Sequence, residues 1–331
     1  MEQVAREAKV SIATVSRVIN APEQVAPATR ERVLRVMQQL GYHYNAVAGS
    51  LSRQRTMTLG LIIPTITNPI FAESTRGVQE MSMAQGYSLL IGNTDYRADA
   101  EEQLVETFRR QRVDGLIVTS SHIDSPGLLT AQAAGTPVVL TYSSRLRSPL
   151  PSVGVDNAAS AAMAVGYLLR IGHRRIGMLA GRFSTSDRSY ARYQGYMAAL
   201  SAHAMMADPA LVVEVEYTLD QGAVGLNQLL TRKEPPTAVF CSNDILAFGA
   251  LRTALDRGIH VPRDLSLVGF DDSPMAAIIN PRLTTVHQPA YEMGRRACEL
   301  VLELINGNQP EQVTIVLPTE LRVRETTAPP P

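Results

Sequence analysis

From Thr58 onward, five- or six-residue apolar runs recur with helical stretches between them: LGLIIP, YSLLIG, VDGLIVT, TPVVLTY, RRIGMLAG, TAVFCSND and DLSLVGFDD. This alternation limits the possible folds more than any other feature of the chain. A run that is apolar at nearly every position is buried on both faces, and strands buried on both faces belong to parallel sheets joined by crossover helices. The pattern predicts helices over 71–85, 100–112, 157–171, 190–203 and 244–257. Open parallel sheets bind ligands beyond the carboxyl ends of their strands. The polar residues collect there: Thr65 and NPIF after LGLIIP, residues 120–124 after VDGLIVT, Asn243 and Asp244 after TAVFC, Asp271 and Asp272 after LSLVGF.

A chain of 331 residues is longer than one core usually holds, and its first 55 residues have a different character. They carry eight basic groups (Lys9 and seven arginines) against four acids, a balance of +4, so the remainder is −4 in a chain of zero formal charge. Charge segregated in this way suits an end that meets a polyanion. EQVAREA places Val4, Ala5 and Ala8 on one face of a short helix. Ser11 is placed to cap a second helix, IATVSRVI, whose Val15, Val18 and Ile19 form its buried stripe. A third, TRERVLRVMQQLGY, has Thr29 as its expected N-cap and Gly41 as the residue past its end. Three helices so arranged make a helix-turn-helix unit. If the second helix enters a DNA major groove, Ile12, Ala13, Ser16 and Arg17 face it: short side chains permit close approach, and Arg17 can reach a guanine with two hydrogen bonds. Spacing alone fits a solvated helical hairpin equally well.

The residues that follow break this tie. VSIATVSRVIN, TRERV and LGYHYNAVAGSL resemble the headpiece of the lactose repressor (LacI/GalR) family nearly in full. The resemblance implies that Ile12, Ala13 and Arg17 read the major groove while Ser11, Thr14, Ser16 and Asn20 lie near phosphates. It also implies a hinge helix from Asn45 to Leu51 that folds on operator binding, with Leu51 wedged into the minor groove, where unstacking costs a few kcal/mol. Two departures stand out: Met1 falls inside the region where the family's first helix begins, and Gly49 replaces a frequent Arg. Because Gly costs about 1 kcal/mol in a helix interior, the hinge helix is expected to form less readily without DNA.

Further along, NPIF, VDGLIV, GTPVVL, VGVDN, GHRRIG, RYQGY, FCSND, VGFDD and PRLTTVHQP match, in order, the same family's core. The implied fold is α/β: a helix-turn-helix headpiece followed by a two-lobed core of parallel sheets with type I periplasmic-binding-protein architecture. The expected divisions are 1–44 for the DNA-binding domain, 45–57 for the hinge and linker, and 58–331 for effector binding and dimerisation. Chain crossings near 154, 286 and 311 would give one lobe from 58–154 and 288–309, and another from 155–285 and 312–326. Carried over residue by residue, the effector candidates between the lobes are Asn68, Phe71, Arg192, Asn243 and Asp271, with Asp124 and Gln288 in more loosely matching segments. Phe71 offers a ring face, Arg192 a planar fork for a diol or carboxylate, and Asn243 and Asp271 orient hydroxyls. Core packing for Phe71, a lobe-to-lobe ion pair for Arg192 and a structural role for Asp272 are the competing readings.

Several classes are set aside by what the sequence lacks. No GxSxG, HExxH, GxGxxG or GxxxxGK[ST] occurs, so no catalytic residue is assigned. The six histidines have no metal-like neighbours, and His173 reads as a helix-end residue; neither metal nor cofactor is expected. Cys241 and Cys298, 57 positions apart, read as small buried apolar residues, with a single bridge left open. Without a run of about 20 apolar residues or a signal-peptide core, a cytoplasmic protein with no membrane partner is expected. A Rossmann-type enzyme or a simple ligand-binding protein would leave residues 1–55 unexplained. The resulting expectation is a homodimeric transcription regulator, a repressor by preference, that binds a pseudo-palindromic double-stranded DNA operator under control of a small polar effector. A sugar or sugar acid is preferred over a purine co-repressor, and a ligand-binding protein whose shortened headpiece no longer binds DNA is the other alternative. VRETTAPPP carries no leucine heptad, so a tetramerising coiled coil is not expected.

Overall fold

The computed structural model describes residues 1–20, 22–42, 55–120, 125–143, 149–308 and 313–331. It divides into two compact units, Met1–Thr56 and Met57–Pro331.

In the first unit, α1 (Glu2–Glu7), α2 (Ile12–Asn20) and α3 (Pro27–Gln39) enclose a small core of Val4, Ala5, Ala8, Val15, Val18 and Val33. The Ser11 hydroxyl accepts a 3.1 Å hydrogen bond from the Thr14 amide, satisfying one of the donors a helix start leaves open. The third helix corrects the expected cap. It begins with Pro27 at its first position, after Ala26, and Thr29 lies inside its first turn. Proline has no amide hydrogen to lose there and its fixed φ is already helical, so it sets the start ahead of the threonine. Gly41, at φ +58°, takes the left-handed conformation that ends α3, as its position suggested.

The second unit contains two sheets. The first comprises β1 (Thr58–Ile63), β2 (Ser88–Asn93), β3 (Gly115–Val118), β4 (Val138–Thr141), β5 (Ser152–Val155) and β11 (Thr314–Leu317), in the order β11-β5-β4-β3-β1-β2. All its pairings are parallel. The second comprises β6 (Ile176–Gly181), β7 (Val212–Val215), β8 (Ala238–Cys241), β9 (Ser266–Asp271), β10 (Thr284–His287) and β12 (Glu320–Arg322), in the order β12-β10-β9-β8-β6-β7. Only β12 runs antiparallel in it, against β10. The central strands are buried along their whole length, as their uninterrupted apolar runs require.

The connecting helices are α4 (Pro69–Ala84), α5 (Ala98–Arg110), α6 (Pro126–Ala133), α7 (Asn157–Arg170), α8 (Asp187–Ala202), α9 (Leu219–Leu230), α10 (Asp244–Asp256) and α11 (Ala290–Ile305). Helices α4 and α8 begin earlier than their apolar spacing indicated, because Asn68 and Ser186 cap them through their side chains. Helix α11 lies on α4 at a distance that only glycine allows. A Cβ on Gly294 would collide with the Ser74 carbonyl, and one on Gly77 with that of Tyr291.

The third crossing between sheets lies later than the sequence suggested. Strand β11 pairs Ile315 with Val153 and Leu317 with Val155, so 314–317 belongs to the first sheet. The chain crosses at residues 318 and 319, not near 311, because Pro318 cannot donate to a ladder and closes the strand. The lobe boundaries expected at 309 and 312 are corrected accordingly. His173 lies just past α7 but is buried; its Nε2 donates to the Ala328 carbonyl at 2.9 Å and its Nδ1 accepts from Thr237 at 2.8 Å. It ties the C-terminal segment to the second sheet. Both cysteines are free and buried. Among the described residues, no helix is long and apolar enough to cross a membrane, and no group of three metal-ligating side chains is found.

Candidate functional site

Two sites were expected, one in each unit. Ser11, just before α2, and Ile12, Ala13 and Arg17 on it are exposed, Thr14 and Ser16 are half-buried, and Val15 and Val18 face the core. An isoleucine left 47 % exposed at the start of the helix and an exposed arginine five residues later offer apolar and guanidinium contacts on the solvent side of α2. Of the other DNA-contact candidates, Asn45 and Leu51 lie outside the described residues, as does the side chain of Asn20.

In the second unit, residues that follow strand ends from both sheets meet at one cavity. It is lined by Asn68, Ile70, Phe71, Tyr96, Tyr142, Arg188, Arg192, Tyr217, Asn243, Asp271 and Gln288. Six of the seven effector candidates are therefore brought together; Asp124 lies outside the described residues. The cavity encloses only about 20 Å³, room for about one water molecule. Admitting anything as large as a monosaccharide requires the lobes to part.

Arg192 is the most constrained of these side chains. It sits on α8, almost fully buried. Its Nε donates to Asn157 Oδ1 at 2.8 Å, Nη1 donates to the Ser242 carbonyl, and the guanidinium lies 3.6 Å over the Phe270 ring. Nη1 also stands 3.9 Å from Asp271. Burial lowers the Arg192 pKa, and the Asp271 charge opposes that shift. Asp271 ends β9 at φ +119°, a conformation costly for any residue with a Cβ, and accepts a 2.6 Å hydrogen bond from Gln288 Nε2. Its pKa is raised by burial, against the pull of Arg192, Gln288 and Asn68. Next to it, buried Asp244 accepts from the Ser273 amide at 2.7 Å and the Thr285 hydroxyl at 2.6 Å. Its pKa is raised first by burial and then by the Asp271 charge. Two carboxylates sharing one dry region cannot both ionise cheaply.

The remaining candidates have structural duties as well. Asn243 and Asn68 cap α10 and α4 through their oxygens, at 2.9 and 3.2 Å, and the Asn68 side chain also bonds Asp271. Phe71 meets Tyr142 edge-on at 5.2 Å, and it is at once part of the first lobe's core and a wall of the cavity. Asp272 does not line the cavity. It accepts from His287 at 3.1 Å and Arg324 at 2.5 Å, the structural role expected of it.

Sequence reasoning passed over Arg188, Tyr96, Tyr142 and Tyr217. Arg188 lies one helical turn before Arg192, and the i, i+4 spacing was a usable signal. Each tyrosine follows a strand end by one to three residues, so the carboxyl-end rule applied to every strand would have found them. Tyr96 and Tyr217 come from opposite sheets and their rings meet at 5.5 Å. Arg188 Nη1 donates to the Ser120 carbonyl at 2.7 Å, another contact between the lobes.

With this geometry in place, likeness to known proteins becomes informative. Residues 1–45 match a family model described as bacterial regulatory proteins, lacI family, and residues 165–327 match one for a periplasmic binding protein-like domain. The chain is 35 % identical over 324 residues to catabolite control protein A of Priestia megaterium, covering 98 % of each. Among solved structures it is similar to the transcriptional regulator CelR–cellobiose complex (35 % identity, TM-score 0.75). It is also similar to the lac repressor dimer bound to operator and the anti-inducer ONPF (27 % identity, TM-score 0.88). Each of these structures is matched over 98 % of both chains. The chain belongs to the LacI family of bacterial transcription regulators.

Proposed function

We propose that this regulator is a repressor that acts as a homodimer on a pseudo-palindromic operator, with its DNA affinity set by a small polar effector held between the two lobes. The carrying observation is the convergence of Asn68, Phe71, Arg192, Asn243, Asp271 and Gln288, from both sheets, on one cavity. In this reading α2 enters the major groove, with Ile12, Ala13 and Arg17 on base edges and Ser11, Thr14, Ser16 and Asn20 at phosphates. Asn45 to Leu51 act as the hinge, and Leu51 as the minor-groove wedge. Residues 1–44 form the DNA-binding domain and 45–57 the connection to the core. Asp124 joins the effector set.

A sugar or sugar acid fits the cavity best. Guanidinium, carboxylate and amide groups beside aromatic rings are the chemistry that orients hydroxyls, and the similar CelR structure contains cellobiose. Dimeric operator binding is supported by likeness to the lac repressor dimer. The protein performs no catalysis in this reading; it works in the cytoplasm, where its operator is. An effector that fits only parted lobes biases the lobe equilibrium by its differential affinity, and that is the available allosteric lever.

Operator binding by the full chain at fixed salt, with and without sugars, sugar acids and purines, tests the proposal. A shift of tenfold or more by one compound, about 1.4 kcal/mol of coupling, is the expected result, and its sign separates inducer from co-repressor. Specific DNA binding that no compound shifts would remove the effector half of the proposal. Absence of specific binding under every condition would remove the DNA half.

A further inference from the structure

Arg188 is buried, only 6 % exposed, yet its guanidinium is half used. Nη1 donates to the Ser120 carbonyl at 2.7 Å and stands 3.5 Å from Asp187, while Nη2 is buried with no hydrogen-bond partner among the described residues. Gln288 Oε1 is likewise buried and without a partner among them. Both side chains line the effector cavity. A buried donor on a charged group left unpaired is costly, so these two atoms describe what a ligand has to bring: an acceptor for Nη2 and a hydroxyl donor for Oε1.

Charge then selects between acceptors. The described lining residues include two guanidiniums, Arg188 and Arg192, and one carboxylate, Asp271, while Asp187 stands beside Arg188 Nη1 and not at Nη2. Asp271 stands 3.9 Å from Arg192 Nη1 and accepts from Gln288, so it serves the Arg192 side of the cavity. A neutral hydroxyl would give Nη2 an ordinary hydrogen bond. A carboxylate gives it a charge-assisted one, about twice as strong as a neutral bond, in a geometry that suits the guanidinium fork.

Resting on the effector reading above, we propose that Arg188 is a specificity-determining residue that binds the carboxylate of a sugar acid, while Gln288 accepts one of its hydroxyls. The effector class is thereby a monosaccharide acid, and its neutral parent sugar is discriminated against at Arg188.

Isothermal titration of the full chain with D-glucose, D-galactose, D-gluconate and D-galacturonate, at low and high salt, tests this. At least one acid should bind at least tenfold tighter than its parent sugar, about 1.4 kcal/mol. Its affinity should fall with salt, whereas that of any sugar that binds should not. Arg188→Gln should reduce the acid preference to less than threefold, and Arg188→Lys, which keeps the charge without the fork, should retain part of it. The acid-against-sugar and salt comparisons need only the unaltered protein, so they can overturn the proposal even if Arg188→Gln fails to fold, and Arg188→Lys then supplies the variant. Equal or tighter binding of a neutral sugar, or acid binding indifferent to salt, would overturn the Arg188 assignment and leave the sugar-effector reading standing. No binding by any of the four would overturn both.

Discussion

The Arg192 guanidinium lies 3.6 Å above the ring of Phe270, so a charge lining the cavity between the two sheets is held by the aromatic core of the second sheet. Phe270 belongs to the buried cluster behind β9, and cation–π contacts of this kind contribute about 0.5–2 kcal/mol. A residue that serves the pocket is therefore also part of the fold.

Replacing Arg192 with alanine should then have two effects. It strips Asn157 Oδ1 and the Ser242 carbonyl of their donor and leaves Asp271 without its nearby cation, a loss of about 3–5 kcal/mol for a buried pair broken on one side. It should also abolish the operator-binding response to effector. Denaturant unfolding and operator titration measure the two separately, and a wild-type effector response would mean the pocket is drawn wrongly.

Stability should carry a signature of the Asp244–Asp271 pair. Both carboxyls have folded pKa values above the ordinary value near 4, chiefly through burial. The folded state therefore holds protons that the unfolded state releases, and this contribution to stability is present at low pH and lost as pH rises from about 4 through the raised values. Asp244→Asn removes one titrating group and can keep the Thr285 contact by rotating its amide. The difference in unfolding free energy, wild type minus variant, should decline between pH 5 and pH 8, with a slope of at most about 1.4 kcal/mol per pH unit. A flat difference would show that Asp244 is not titrating in this range.

Gly294→Ala probes helix packing in the first lobe, outside the lining of the cavity. Its new methyl would be driven against the Ser74 carbonyl on α4, and overpacking of this kind costs about 1–3 kcal/mol. Thermal melting should show the drop even though alanine is the better helix former. An unchanged or higher melting temperature would show that α4 and α11 can separate without loss.

The headpiece offers a clean separation of folding from recognition. Arg17 is exposed on α2, so Arg17→Ala should leave stability within about 0.5 kcal/mol while weakening specific operator binding by about 1–3 kcal/mol. Ser11→Ala should behave differently, lowering headpiece stability by about 1 kcal/mol through loss of its bond to the Thr14 amide. Circular dichroism and operator binding at fixed salt distinguish the two. Equal losses in both assays for Arg17→Ala would assign it a structural role.

The strands were legible because each central strand is apolar along its length, and nothing but a doubly covered parallel sheet buries such a run. The helix-turn-helix unit was legible for a similar reason: Val4, Ala8, Val15 and Val18 repeat at helical spacing, and Ser11 stands where a cap is needed. Strand-end polarity also marked Asn243 and Asp271, since a polar residue just past a buried strand has few places to go except the cleft.

Other features depended on partners distant in the chain. Strand β11 is half-exposed and short, so only its pairing with β5 assigns it to the first sheet. The different surroundings of Arg188 and Arg192 were set in the same way: one turn apart on α8, they differ because Arg192 meets Asn157, Ser242 and Phe270 while Arg188 reaches Ser120 in the other lobe. Residue type and spacing specify which segments are buried, capped and charged, because those are local properties of the chain. Only the tertiary fold sets which polar atoms are satisfied within the protein and which described ones are buried without a partner, because a hydrogen bond depends on where two side chains meet in space.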